Sequence, residues 1–63
     1  MNYVFNIGHT QTVFNEELNG EYTVTCYMFL PNHNNWVPLS NIRVSGKKAF
    51  NMMARLTRKE LMI

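Results

Sequence analysis

The C-terminal stretch of this 63-residue chain constrains its fold most, because it is typical of a helix with two very different sides. No Pro or Gly occurs from Lys47 to Leu61, and Ser45 can cap the start of a helix at about 46–61. At 100° per residue the apolar side chains share one side of that helix, namely Ala49, Phe50, Met52, Met53, Leu56 and Leu61. This stripe has to be buried against another part of the chain.

The first two-thirds of the chain carries patterns typical of β-strands. The run NYVFNIG alternates apolar and polar residues, and the runs TQTVFNEEL and EYTVTCYMFLP flank Asn19-Gly20. Asn-Gly is the strongest short hairpin signal, because both residues tolerate the positive φ angles of a type I′ turn. With these two residues as the whole loop, Phe14 faces Thr25 across the hairpin. Neither side of the hairpin is plainly polar, so the pattern leaves the buried side open.

A further strand follows in NNWVPLSNIRV, where Pro38 requires a sheet edge or a break in pairing. The predicted strands lie at about 2–8, 11–18, 21–30 and 36–44. The predicted fold is therefore α+β, a single domain of residues 1–63 with a three- or four-stranded antiparallel β-sheet packed against one C-terminal amphipathic α-helix. Trp36 has a large apolar surface, so we expect it to anchor the helix on the sheet.

The small size of the chain limits its core. A domain of about 60 residues buries only about 60% of the surface that it exposes when unfolded. The single cysteine, Cys26, excludes an internal disulfide and fits a reducing compartment. Either a well-packed core or self-association as a homodimer could supply the missing stability. With no apolar run near the ~20 residues that span a bilayer and no signal-peptide pattern, we expect a cytoplasmic protein without a membrane partner.

Charge is distributed unevenly along the chain. Residues 1–42 contain three glutamates and neither Lys nor Arg, a net charge of −3. Residues 43–63 contain six Lys and Arg residues against Glu60, a net charge of +5. Such asymmetry points to an anionic partner. Lys47 and Lys48 lie in the first helical turn, where the helix dipole disfavours cations, so we expect another role to favour them there.

The cations predict a nucleic-acid interface on the polar side of the helix. Side chains there would neutralise phosphates and release counterions, which strengthens binding at low salt. The candidate contact residues on the helix are Lys47, Lys48, Asn51, Arg55, Arg58 and Lys59, and Arg43 joins them from the sheet edge. The alternative to a binding role is an ordinary solvated helix surface, which carries the same residue types.

A second functional class uses the same cations differently. A protein-binding modulator or inhibitor could dock on an acidic surface of a host protein, with the cations raising the association rate. Exposed aromatic side chains would then supply the anchors. Phe14, Tyr27 and Phe29 share one side of the predicted hairpin and are the candidates for that contact.

The residue pattern does not indicate a catalytic site or a metal site. His9, Cys26 and His33 match no zinc-site spacing, and we expect neither a metal nor a cofactor. Glu16 and Glu17 are adjacent on a strand, so they point to opposite faces and cannot act as a catalytic pair. The three glycines are isolated and form no phosphate-binding loop. We therefore expect that the protein is not an enzyme.

The order of elements, with NNWVPLSNIRV as a strand and SGKKAFNMMARL as a helix, resembles the arm-type DNA-binding domain of lambda-like integrases. The resemblance covers about residues 11–57 and implies a three-stranded sheet on a C-terminal helix, with the sheet inserted in the DNA major groove. Two departures stand out: residues 1–42 lack the Arg and Lys that the family places on its strands, and we expect no catalytic domain after the helix. The short length and the residues WVPLSNIR and KKA also resemble small uncharacterised early proteins of lambdoid phages.

These observations together predict a small non-enzymatic accessory protein of phage or mobile-element type. Its expected partner is nucleic acid, DNA first, bound through the basic side of the helix. An acidic host protein surface is the alternative partner.

Overall fold

The computed structural model describes residues 1–62 and confirms the α+β class, with a four-stranded antiparallel sheet and one C-terminal helix. The strands, in chain order, are β1 (Asn2–Ile7), β2 (Thr10–Glu16), β3 (Tyr22–Leu30) and β4 (Asn35–Val44). A short 3-10 turn, Pro31–His33, joins β3 to β4, and the helix α1 spans Gly46–Leu61. The strand order in the sheet is β1-β2-β3-β4, so β1 and β4 are the two edges.

The first and third turns of the meander each place one residue at a positive φ angle. Ile7 pairs with Thr10, which leaves Gly8-His9 as a two-residue loop. Gly8 has a φ of 59°, as the first central position of a type II′ turn requires. Asn34 closes the 3-10 turn before β4 in the left-handed conformation, with a φ of 48°, which asparagine tolerates better than most residues.

The β2–β3 hairpin differs from the prediction by one residue of register. Phe14 pairs with Val24 rather than with Thr25. The Glu17 N–H donates to the Glu21 carbonyl at 2.8 Å, so three residues, Leu18-Asn19-Gly20, form the loop. Among these only Gly20, with a φ of 81°, takes a positive φ. This is a type I turn followed by a left-handed residue, and the extra residue moves Phe14 to the other side of the hairpin.

That shift in register builds the core. Phe14 now lies on the face that carries Tyr22 and Val24 and is fully buried there beneath α1. The ring of Phe5 packs edge-on against the ring of Phe14, with 5.7 Å between centroids. The buried apolar residues are Phe14, Tyr22, Val24, Val44, Ala49 and Met53. We call the face of the sheet beneath α1 the helix-side face.

The start of α1 is fixed by two contacts. The Ser45 hydroxyl accepts a hydrogen bond from the Lys48 N–H at 3.2 Å, which confirms the predicted cap. Gly46 lies against the β2–β3 loop so closely that a Cβ there would be 2.9 Å from the Gly20 carbonyl oxygen. The absence of a side chain at residue 46 therefore lets the loop and the helix meet.

The other face of the sheet is not covered by α1, and we call it the open face. Side chains alternate along β3, so Tyr27 and Phe29 point away from Val24. Trp36 pairs with Phe29, with ring centroids 5.1 Å apart, and is 42% exposed. The expectation that Trp36 anchors the helix was wrong.

The physical reason is a bulge in the edge strand β4. Cys26 pairs with Ser40 but the next residue, Tyr27, pairs with Pro38, which leaves Leu39 as an extra residue. The extra residue reverses the alternation of β4 before this point, so Trp36 faces away from α1. Pro38 lies at this irregularity in an edge strand, where a residue without an N–H donor is tolerated.

Candidate nucleic-acid interface

The predicted helix residues lie together on the exposed side of α1, which we call the basic face. It consists of Lys47, Lys48, Asn51, Arg55, Arg58 and Lys59, all of them exposed. The apolar side of the helix turns Ala49 and Met53 into the core. Phe50 and Leu61, which the periodicity places on the apolar stripe, lie at its margin and are exposed. Burial of the stripe thus orients α1 so that the cations face outward.

The basic face keeps its charge free of carboxylate partners from the described chain. The ion pair found within residues 1–62 joins the Met1 amino group to the Glu16 carboxylate at 3.7 Å and involves none of the helix cations. The first turn of α1 contains no acidic residue, and Arg58 and Lys59 lie in its last turn. The Ser45 cap satisfies the N–H of Lys48 without adding negative charge. An approaching anion would therefore meet five cationic side chains along one helix.

Arg43 lies apart from this set, in the edge strand β4, where the prediction placed it. Val44 is buried against α1, and successive side chains on a strand alternate between faces, so Arg43 lies on the open face. It pairs with Thr23 and lines a small hollow with Glu17, Leu18 and Asn19 of the hairpin. The Glu17 carboxylate accepts a hydrogen bond from the Thr23 hydroxyl at 3.0 Å. Arg43 thus lies beside negative charge, on the opposite side of the sheet from the basic face.

The three candidate protein-contact residues do not share one face of the sheet. Phe14 is fully buried, so its assignment as a contact residue was wrong, and the cause is the one-residue shift in the hairpin. Tyr27 and Phe29 lie half-buried on the open face. His9 stacks on Phe29 with 6.3 Å between ring centroids, and Trp36 packs against the same Phe29 ring.

His9 and Trp36 are therefore members of an open-face aromatic cluster that the sequence analysis missed. The signal for Trp36 was present in Pro38, which marks the irregularity that reverses the strand. Apart from Val4, Val13 and Arg43, the rest of the open face is mostly polar and uncharged. Asn41 donates to the Thr25 hydroxyl at 3.1 Å, and Gln11 donates to Asn6 at 3.0 Å.

A groove of about 300 Å³ runs between α1 and the β3–β4 half of the helix-side face. Its walls are mostly apolar, with Arg55 and Lys59 on the helix side. The full lining is Thr12, Val24, Cys26, Ser40, Ile42, Met52, Arg55, Leu56 and Lys59. Two of the cations on the basic face therefore also border an apolar depression.

One ionisable group of the described chain, the Tyr22 phenol, has a pKa clearly displaced from its usual value. Burial raises the pKa of the Tyr22 phenol above its usual value of 10.0, and the nearby Glu16 carboxylate and Tyr3 add smaller effects in the same direction. This places a neutral phenol in the core next to Phe50, whose ring lies 5.8 Å away. Among residues 1–62, His, Cys, Asp and Glu side chains do not gather in a group of three that could hold a metal ion.

Comparisons with protein-family models, curated protein sequences and solved structures found no match to this chain. In the part of the chain that the structure describes, α1 is neither long nor apolar enough to cross a bilayer.

Proposed function

We propose that this chain is a small non-enzymatic accessory protein, of phage or mobile-element type, that binds nucleic acid through the basic face of α1. One observation carries the proposal: five cations lie on the outward side of a single helix, and no carboxylate within residues 1–62 pairs with them. DNA is the first candidate and the cytoplasm the expected location.

The dimensions of the basic face suit a phosphate backbone. Lys47 and Lys59 are twelve residues apart, which corresponds to about 18 Å of helix. One strand of duplex DNA carries a phosphate about every 3.4 Å along its axis, so this length covers roughly five phosphates. Contacts of this kind position a protein on DNA but do not by themselves select a sequence.

Binding of the full chain to labelled duplex and single-stranded DNA, followed by fluorescence anisotropy at several salt concentrations, tests the proposal. Five phosphate contacts predict a log–log salt slope of roughly −4 to −5 on duplex DNA, because each contact contributes about −0.9. Lys47→Gln and Arg55→Gln should each reduce the slope by about one. Absence of binding at about 50 mM salt would refute the proposal.

Arg43→Gln is the matched control, because it removes one positive charge from the opposite side of the sheet. If the basic face is the site, this variant leaves the slope nearly unchanged. An equal decrease in all three variants would mean that net charge alone, and not the basic face, determines binding.

One observation favours a second candidate function, the docking of a host protein. Trp36 is 42% exposed beside Phe29 on the open face, and aromatic side chains of this kind are common anchors at protein interfaces. In that case Trp36→Ala should abolish binding to the partner, whereas Lys47→Gln should change mainly the association rate. Sedimentation of the free chain would show whether the same cluster instead joins two copies in a homodimer.

A further inference from the structure

The helix-side face of the sheet is covered only in part. α1 packs mainly on β1 and β3, and beyond its flank the part of the same face around Ser40 and Ile42 of β4 is exposed. Ile42 points to this side yet is 46% exposed, and Met28 is also exposed. The groove of about 300 Å³ lies over this exposed region.

The exposed region beside α1 can accommodate one further helix. Four strands about 4.8 Å apart make a sheet about 19 Å wide, whereas one helix with its side chains covers about 10–12 Å. A strip of the sheet about 8 Å wide remains uncovered. A second helix packed at the usual interaxial distance of about 8–10 Å from α1 would have its axis above that strip. A second helix beside α1 would therefore complete the layer and bury Ile42, Met52 and Leu56.

The charge at the groove selects what kind of helix fits. Arg55 and Lys59 are one helical turn apart and both line the groove, and its lining contains no carboxylate. An incoming helix with acidic residues on the side facing α1 would pair with them. The α1 helix of a second copy would instead bring its own cations against Arg55 and Lys59, so like-charge repulsion disfavours self-docking through α1.

We propose that the groove binds an acidic amphipathic helix of a partner protein. The apolar side of that helix covers Ile42, Met52 and Leu56, and its carboxylates pair with Arg55 and Lys59. These two cations also belong to the basic face, so partner binding and nucleic-acid binding compete for them. The groove itself does not depend on the proposed nucleic-acid function, because its apolar floor has no part in phosphate binding.

A display library of 16-residue helices tests this. Each member has Leu, Ile or Met at positions i, i+3, i+4 and i+7, and Glu, Gln or Lys is randomised at the flanking positions. The full chain is the bait, and the Ile42→Thr variant is the counter-selection bait. We expect enrichment of Glu on one flank, and about tenfold weaker binding of the selected peptides to Ile42→Thr.

Cys26 reports occupancy, because it is half-buried and lines the groove. At a peptide concentration ten times the Kd, alkylation of its thiol should slow about tenfold, since about one site in eleven is free. Val4→Thr is the matched control: Val4 is also a β-branched, exposed residue of an edge strand, but it lies on the open face. This variant should bind the peptides as the unmodified chain does.

The double variant Arg55→Glu, Lys59→Glu provides a second test that leaves the apolar floor intact. It should reverse the selection toward Lys on the same flank. The proposal is overturned by no enrichment over Ile42→Thr, by enrichment of Gln or Lys with the unmodified chain, or by peptide binding that leaves the Cys26 alkylation rate unchanged. Lys47→Gln removes a cation of the basic face but leaves the groove intact. It should therefore weaken DNA binding without affecting peptide binding, so the failure of one proposal can be told apart from the failure of the other.

Discussion

Replacement of Gly46 by alanine has two opposite effects on the stability of the fold, and the structure indicates which one is larger. Helix propensity alone predicts that Gly→Ala stabilises a helix by up to about 1 kcal/mol. A Cβ at residue 46 would, however, lie 2.9 Å from the Gly20 carbonyl oxygen. That atom belongs to the backbone of the β2–β3 loop, so no side chain can rotate away to relieve the contact.

The size of the effect follows from the distance. The loop or the helix start must move by about 0.5 Å to restore a separation of 3.4 Å, at which van der Waals contact becomes ordinary. Overpacking of this kind costs about 1–3 kcal/mol. After subtraction of a propensity gain of about 1 kcal/mol, we expect Gly46→Ala to lower the free energy of unfolding by about 0–2 kcal/mol, with a central value of about 1 kcal/mol. The total stability of a 63-residue domain is only about 3–9 kcal/mol.

Thermal and urea unfolding followed by circular dichroism measures this change. The central value of about 1 kcal/mol corresponds to a decrease in Tm of roughly 4–8 °C for a domain of this size. Asn51→Ala is the control in the same helix, at an exposed position where only propensity acts, and it should raise Tm slightly. If Gly46→Ala raises Tm as much as Asn51→Ala, the close approach of the loop to the helix does not exist and the reasoning is refuted.

Two further predictions concern the core. Phe14→Ala should lower the free energy of unfolding by about 3–5 kcal/mol, most of the total stability, whereas Phe29→Ala on the open face should lower it by about half of that or less. Urea titration measures both losses. A larger loss in Phe29→Ala than in Phe14→Ala would contradict the hairpin register. Because burial raises the pKa of Tyr22 above 10.0, the folded chain holds the phenol proton more tightly than the unfolded chain does. This contribution to stability is complete below pH 10 and is lost as the pH rises further, so the alkaline loss of stability should be smaller in Tyr22→Phe; equal losses in the two proteins would exclude this role.

The helix was predictable because its signals are local. The apolar spacing, the Ser45 cap and the absence of Pro and Gly after residue 46 all lie within the segment that they describe. The free basic face followed from the same pattern, because burial of one side of a helix exposes the other.

The pairing of the hairpin was not predictable in this way. Asn19-Gly20 is compatible with a two-residue and with a three-residue loop, which differ in whether Asn19 takes a positive φ. The observed loop lies against Gly46, a residue distant in sequence, so tertiary contact contributes to the choice. One residue of register then decided whether Phe14 was a surface anchor or the centre of the core.

The placement of Arg43 and Trp36 depended on counting along β4. Alternation backward from the buried Val44 places Arg43 on the open face, so that outcome could have been derived from the strand pattern. Trp36 could not be placed by simple alternation, because the extra residue at Leu39 reverses the count. The groove required knowledge of where α1 lies on the sheet, which periodicity does not contain.

The meander order of the sheet has a consequence for how fast the chain folds. Each strand pairs with its neighbour in sequence, and α1 follows β4 directly, so most contacts close short loops and carry little entropic cost. The packing of α1 on β1 is the exception, since it joins the first and last elements of the chain. We therefore expect the strands to pair first and the helix to dock late, so that substitutions at Ala49 speed unfolding, in stopped-flow measurements, more than they slow folding.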